Sequence, residues 1–432
     1  MTAQVESSAT SAVDAGSPEV TVAATAGPVA DRRPSRARRA LSSDWARTFA
    51  LVFAWHAVLT AVAVLFQGAL PVDEGYPVRV LGPDATLLSH TFRWDSESFG
   101  NIADGGYVDP RAPWLTAFYP VFPLLVWLVQ AATFGLLGPL AAGMAVNGVA
   151  TWLAATALLR IARHFPLRES AAWLVVVAFL TAPAAFFLHA FYSEAVFCAL
   201  GFWAYLFALR RRWGWMALCL VPLTATRITA ALFVGLCALE FFRSREWRPR
   251  GLLSWRLLLF PAAFLGFALY ALHLWLVKDD ALAMMHAYDG VASWAYHVLN
   301  PNIVATLSDE VSTSWRALAS GRPDGWQLMS HILPLTGLAV LVAASVYVVV
   351  ALRRDGLPLA GFGLASFVML TLNSNVVSVH RYLVPCLVIY LAMVLAAERR
   401  PALRPVLHGS LYASTLVQGS IYLLFVAGFW AG

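Results

Sequence analysis

The chain has 432 residues, 60% of them hydrophobic and 12% charged, and a formal net charge of +6. Soluble domains average roughly 45–50% apolar and about 25% charged residues, so this balance, with a mean hydropathy of +0.68, excludes a water-soluble globule and specifies an all-α polytopic membrane protein. The positive charge is almost wholly arginine, with Lys278 the only lysine, and it lies in short loops between apolar segments, which marks topology and argues against nucleic-acid binding.

Residues 1–42 are rich in Ala, Ser, Thr, Val and Pro and end in a basic cluster, Arg32 to Arg39. No short apolar region with a cleavage site follows, so this segment is expected to be a disordered cytoplasmic tail whose arginines meet anionic lipid. Residues 43–432 are expected to form one transmembrane domain. Its first apolar segment, 44–66, supplies the roughly 20 residues a bilayer needs and runs from inside to outside. A long first extracytoplasmic loop, 67–138, follows and contains Asp95.

Charge decides how the next two apolar stretches are placed. If both 118–137 and 139–160 crossed the membrane, Arg160, Arg163, Arg168 and every later arginine cluster would lie outside, against the positive-inside rule. Laying 118–137 along the outer interface returns them all inside, and its Tyr119-Pro120 start and Trp127 suit an interfacial helix. Residues 139–160 then run inward, 171–189 outward and 191–209 inward. Residues 213–242 form an outward and inward pair, broken near Pro222 to Arg227, and 257–277 lead to a second outer loop, 278–331. Segments 332–352, 357–373, 382–397 and 406–430 complete about eleven spans. No internal repeat is evident, which speaks against the inverted-repeat transporters.

Cys198, Cys219, Cys237 and Cys386 lie within apolar segments without CxxC spacing and read as small core residues. In the second outer loop, Asp279-Asp280…His286…Asp289 makes a divalent metal conceivable. The spacing matches no strong ligand motif, and a solvated loop is the better reading, so no residue is assigned to a metal. Trp294 and Trp315 of the same loop could form a sugar-stacking or interfacial surface.

With this orientation four polar clusters fall on one outer side. In the first, Arg93–Asp104, Asp95 reads either as a general base, which a low-dielectric site can tune, or as a solvated acid. Trp94, Glu97 and Tyr107 surround it with groups able to grip a polar ligand. Glu194 opens a segment re-entering the membrane, where an acid is costly unless paired or functional; helix capping is the alternative. Arg227 stands alone between apolar runs and demands a phosphate or a carboxylate such as Glu194. His380-Arg381-Tyr382, after Asn373-Ser374-Asn375, could hold a lipid phosphate or act as an interfacial anchor. No P-loop, GxGxxG, HExxH or nucleophile-elbow pattern is present, so any transfer must draw on an already activated substrate.

Trp94-Asp95-Ser96…Ile102-Ala103…Gly106-Tyr107 resembles the first-loop signature of the PIG-V-type mannosyltransferases, a family of the GT-C superfamily of membrane glycosyltransferases. Phe118-Tyr119-Pro120…Pro123-Leu124-Leu125, Tyr192-Ser193-Glu194, Thr226-Arg227 and His380-Arg381-Tyr382 resemble its later elements, in order. The resemblance implies a GT-C-like fold, a polyprenyl-phosphate-mannose donor, inverting transfer at the outer face of the cytoplasmic membrane and Asp95 as base. Tyr192 and Glu194, Arg227, His380 and Arg381 would then contact substrate. Ser98, Phe99 and Gly100 depart from the family's Trp, Tyr and Leu, which bears on the identity of the acceptor or sugar. Arginine and alanine richness points to a bacterial member, whose acceptor would be a mannolipid, lipoglycan or cell-wall glycan. A transporter or flippase of a lipid-linked sugar, and a non-catalytic subunit of a mannosyltransferase, are the competing readings.

Overall fold

The computed structural model describes residues 43–66, 69, 88–248, 254–288 and 300–432. The expected tail at 1–42, most of 67–87, and Asp289 and Trp294 lie outside the described residues. Among those described, every regular element is helical. The principal helices are α1 (Asp44–Phe66), α2 (Asp95–Gly105), α3 (Val121–Ala132), α4 (Pro139–Ala162), α5 (Glu169–Leu180), α6 (Glu194–Leu209) and α7 (Trp213–Thr224). They continue with α8 (Ala230–Ser244), α9 (Leu265–Lys278), α10 (Ile303–Ala319), α11 (Leu333–Leu352), α12 (Leu357–Thr371), α13 (Leu387–Arg399) and α14 (Arg404–Val426).

Five helical stretches are long and apolar enough to cross a bilayer: Asp44–Phe66, Pro139–Ala162, Trp255–Lys278, Gly325–Thr371 and Pro401–Val426. The remaining expected crossings are shorter than their apolar runs. Residues 171–189 do not form one span; the helix stops at Leu180, just before Pro183, and a 3-10 turn, Ala185–Leu188, follows. Proline has no N–H to give and clashes with the preceding turn, and Pro385 likewise delays α13 to Leu387. A helix of 12 residues such as α3, α5 or α7 is only about 18 Å long, against a hydrocarbon core of about 30 Å. The figure of eleven spans therefore does not follow from helix length, and α3 alone cannot cross.

Between α5 and α6 the chain from Ala184 to Ser193 is buried without being α-helical. Such backbone survives at membrane depth only when protein satisfies its polar groups, and α4 and α14 supply the donors. Asn147 Nδ2 donates to Ala190 O, Thr151 Oγ1 to Leu188 O, and Gln418 Nε2 to Leu180 O and Ala182 O. The Phe191 N–H donates to Thr91 O at 2.9 Å, which fixes this segment against the strand of chain leading to Asp95. Close approach needs small residues: a Cβ on Gly143 of α4 would come within 2.3 Å of the Phe191 ring, the small-residue packing common between membrane helices.

Candidate active site

Asp95 and Glu194 are each the first residue of a helix, α2 and α6, where the exposed N–H groups and the helix dipole favour negative charge. Trp94, just before Asp95, has φ +56°, a conformation that costs a non-glycine residue about 1–3 kcal/mol and persists only when surroundings impose it. Here Arg93 imposes it from one side. Its guanidinium donates to Ser89 O, Phe92 O and Val426 O at 2.6, 2.9 and 2.8 Å. Trp94 Nε1 donates to Phe429 O at 3.3 Å. Ser378, φ +67°, similarly precedes the short helix Val379–Tyr382 that carries Arg381.

These elements bring four charges into one line. Arg381 Nη1 donates to Asp95 Oδ2 at 2.8 Å, and its Nε lies 2.6 Å from Glu194 Oε1, close enough for an ion pair but out of line for a hydrogen bond. Arg227 Nη2 donates to the same Glu194 oxygen at 2.7 Å. Two acids thus face two arginines and the cluster is neutral. The Glu194 side chain is 0% and that of Arg381 5% exposed, whereas Asp95 keeps 32% and Arg227 11%. The two ends of the line are therefore its accessible groups. Glu194 Oε2 is buried without a hydrogen-bond partner, and such an oxygen costs about 1–3 kcal/mol until a donor reaches it.

Aromatic rings enclose the cations. The Arg381 guanidinium carbon lies 4.9 Å from the Tyr192 ring centre and 5.3 Å from that of Phe187, and Arg227 lies 5.0 Å from Tyr382, within cation–π range. Tyr192 OH donates to Arg93 O at 3.0 Å, so its ring is fixed. His380 Nε2 donates to Ala431 O at 2.8 Å while its Nδ1 is buried without a partner. A further line of imidazoles lies alongside: His56 Nδ1 is 2.8 Å from His189 Nδ1, and His189 Nε2 is 3.2 Å from His90 Nε2.

Of the expected site residues, Asp95, Tyr192, Glu194, Arg227 and Arg381 are joined directly, and Trp94 and His380 flank them. Glu97 is half-buried on α2. Tyr107 belongs elsewhere: its hydroxyl donates to Phe118 O at 2.6 Å, and its ring packs against Tyr270 in a separate cluster with Ile102, Leu115 and Met284. Burial pushes its phenol well above the ordinary tyrosine range, as expected of a structural hydroxyl. Tyr288, in the second outer loop, was missed by sequence reasoning. It lies within electrostatic reach of Tyr382, Tyr119, Asp95 and Arg227, and burial pushes its phenol up as well. Its only signal in the sequence is an aromatic in a loop otherwise read as solvated.

In that loop Asp280 Oδ2 and His286 Nδ1 pair at 2.7 Å at the surface, and the His286 hydrogen bond holds the Asp280 carboxyl below its usual range. Among the described residues no three His, Cys, Asp or Glu side chains converge on a metal position. Helix α10 of the same loop braces the site from outside. Glu310 pairs with His331 at 2.7 Å, and Thr306 Oγ1 donates to Asn373 O at 3.1 Å, which anchors the turn before Arg381.

Between α6, α8, α12 and the turn before α13 a slot lined by Phe197, Phe233, Phe362, Leu370 and Cys386 opens beside Arg227 and Tyr382. It is a narrow, mostly apolar crease that admits only about 10 Å³ of water-sized space, about one water.

Residues 52–243 match the family described as mannosyltransferase (PIG-V), a little under half of the chain. The match bears out the family resemblance over that stretch and supports glycosyltransferase activity. No curated protein matches the chain. Among solved structures, ArnT from Cupriavidus metallidurans bound to undecaprenyl phosphate is similar over 88% of this chain and 76% of that one, at 14% identity and a TM-score of 0.46.

Proposed function

We propose, from the match of residues 52–243 to the PIG-V-type mannosyltransferases, that this chain is an inverting glycosyltransferase that moves mannose from a polyprenyl-phosphate donor to a lipid or cell-envelope glycan. The observation that supports it best is the line Asp95–Arg381–Glu194–Arg227, drawn from four separate parts of the chain and accessible at its two ends.

Arg381 holds Asp95 by Oδ2, leaving Oδ1 to take a proton. In the reaction, Oδ1 removes the acceptor hydroxyl proton as that oxygen attacks the anomeric carbon. The bond from this carbon to the lipid phosphate breaks on the opposite face, and the phosphate leaves with the electron pair. Arg227 keeps donors beyond the one given to Glu194 and stabilises the charge that grows on the departing phosphate. His380 is committed to Ala431 O through Nε2, so the phosphate falls to Arg227 more than to His380. Glu194, fully buried, pairs with both Arg227 and Arg381 and holds the two guanidinium groups in place.

By the positive-inside rule, the site opens on the extracytoplasmic face of the cytoplasmic membrane. Single cysteines at positions 165 and 210, at the opposite helix ends, test that assignment: labelling of both only from outside refutes it. Purified protein in nanodiscs with labelled polyprenyl-phosphate mannose and bacterial lipids tests the activity. Label in a new lipid or glycan product supports the transferase. Movement of the donor across the bilayer without transfer replaces that reading with a flippase, and neither outcome leaves a non-catalytic subunit.

A further inference from the structure

A second charged cavity lies at the other end of the bundle. Helix α6 begins with Glu194 in the site and carries Tyr205 and Leu209 in its last turns, and its 16 residues place the two ends about 24 Å apart. Helices α8 and α13 run the same way, from beside Arg227 and Arg381 to Arg243 and Arg399. Their far ends meet in a cleft of about 530 Å³, lined by His164, Glu240, Arg243, Arg353, Asp355 and Arg399 among others.

Within it, Glu240 is buried and both its oxygens are held by Arg243, at 2.7 and 2.9 Å. Arg243 Nη1 also reaches Asp355 Oδ1 at 2.9 Å. Arg353 and Arg399 make no ion pair among the described residues, and both side chains are exposed at the rim. Arg353 has φ +54°, a backbone conformation imposed where α11 turns into α12. Three arginines stand against two acids in the lining, which leaves one positive charge uncompensated. Phe165, Leu209 and Leu352 give the same cleft an apolar wall.

We propose that this cleft binds the headgroup of an anionic phospholipid, with Arg353 and Arg399 gripping the phosphate and the apolar wall receiving the first acyl carbons. A phosphodiester headgroup with no cation of its own carries one net negative charge, which matches the lining and which zwitterionic phosphatidylcholine lacks, and guanidinium groups bind phosphate oxygens through directed charge-assisted hydrogen bonds. The site is separate from the glycosyl-transfer site and does not depend on the reading given to that site.

The test compares the full chain with the double variant Arg353→Gln/Arg399→Gln in detergent, with Arg211→Gln as a control outside the cleft. Thermal stability and lipid retention by native mass spectrometry are measured with phosphatidylcholine alone, with added phosphatidylglycerol, and with added inorganic phosphate. Wild type and R211Q are expected to retain phosphatidylglycerol and gain stability from it. The double variant is expected to fold equally well in phosphatidylcholine and to retain phosphatidylglycerol roughly tenfold less for each charge-assisted hydrogen bond removed. A gain from inorganic phosphate that the double variant abolishes assigns the cleft to a soluble phosphate ester. No gain from either ligand, or an equal gain in the double variant, overturns the proposal.

Discussion

Replacing Asp95 with Asn separates a chemical role for this carboxylate from a structural one, because the surroundings set very different magnitudes for the two. The amide keeps the shape of the side chain and can still accept from Arg381 Nη1, now as a neutral group. The bond still has the charged Arg381 as donor and loses only the charge of its acceptor, an exchange that costs roughly 1 kcal/mol of stability. Arg381 is not stranded, because Glu194 remains 2.6 Å from its Nε, and the 32% exposure of Asp95 reduces the loss further. Removing a general base, by contrast, lowers the rate by about 10²–10⁴-fold, or about 3–5 kcal/mol of barrier. Initial rates of labelled mannose transfer in nanodiscs, with thermal unfolding on the same preparation, read both quantities. A rate within about threefold of wild type, far from the range for a lost base, refutes the assignment. A protein that no longer folds refutes the structural half of the reasoning.

Glu194→Gln is expected to reverse that balance. It leaves Arg227 without a carboxylate and Arg381 with Asp95 alone, in a buried setting where removing one partner of an ion pair costs about 3–5 kcal/mol, measurable as a lowered unfolding temperature. Tyr288→Phe is expected to lower kcat/KM by about 3–10-fold, the scale of one hydrogen bond; an unchanged kcat/KM removes Tyr288 from the site. Gly266→Ala is expected to destabilise by about 1–3 kcal/mol through overpacking, because the new Cβ would lie 1.9 Å from the Val221 carbonyl oxygen, which is backbone. Equal unfolding temperatures for that variant and wild type would show that α7 and α9 separate freely.

The charged residues of the site were legible in the sequence for one physical reason: an ion inside an apolar run must have a partner. That demand singles out Asp95, Glu194, Arg227 and Arg381, but it does not pair them. The pairing of Glu194 with Arg227 can be anticipated from it, whereas Arg381 bridging both acids depends on where the turn after Ser378 lands. Aromatic groups carry no such demand and were harder to place. Tyr107 shares a motif with Asp95 yet points toward Tyr270, a packing fixed by α9 much further along the chain. Tyr288 was hidden because acids and a histidine nearby made its loop read as solvated, although Asp280 and His286 are the pair that faces water there. Long spans such as α1 and α4 follow from hydropathy alone. The short helices around 180–193 do not, because a composition window sees apolar residues and not the side chains of Asn147, Thr151 and Gln418 that allow the helix to end inside the bundle.

Phe429, Ala431 and Gly432 touch the site through backbone oxygens, which accept from Trp94, His380 and Arg381. A main-chain oxygen is the same in every residue type, yet the segment still restricts what is written there: a Cβ on Gly432 would lie 2.9 Å from His380 Nε2, and Trp430 rests against Trp326. Deleting residues 429–432 would remove all three acceptors at once and loosen three of the groups around Asp95.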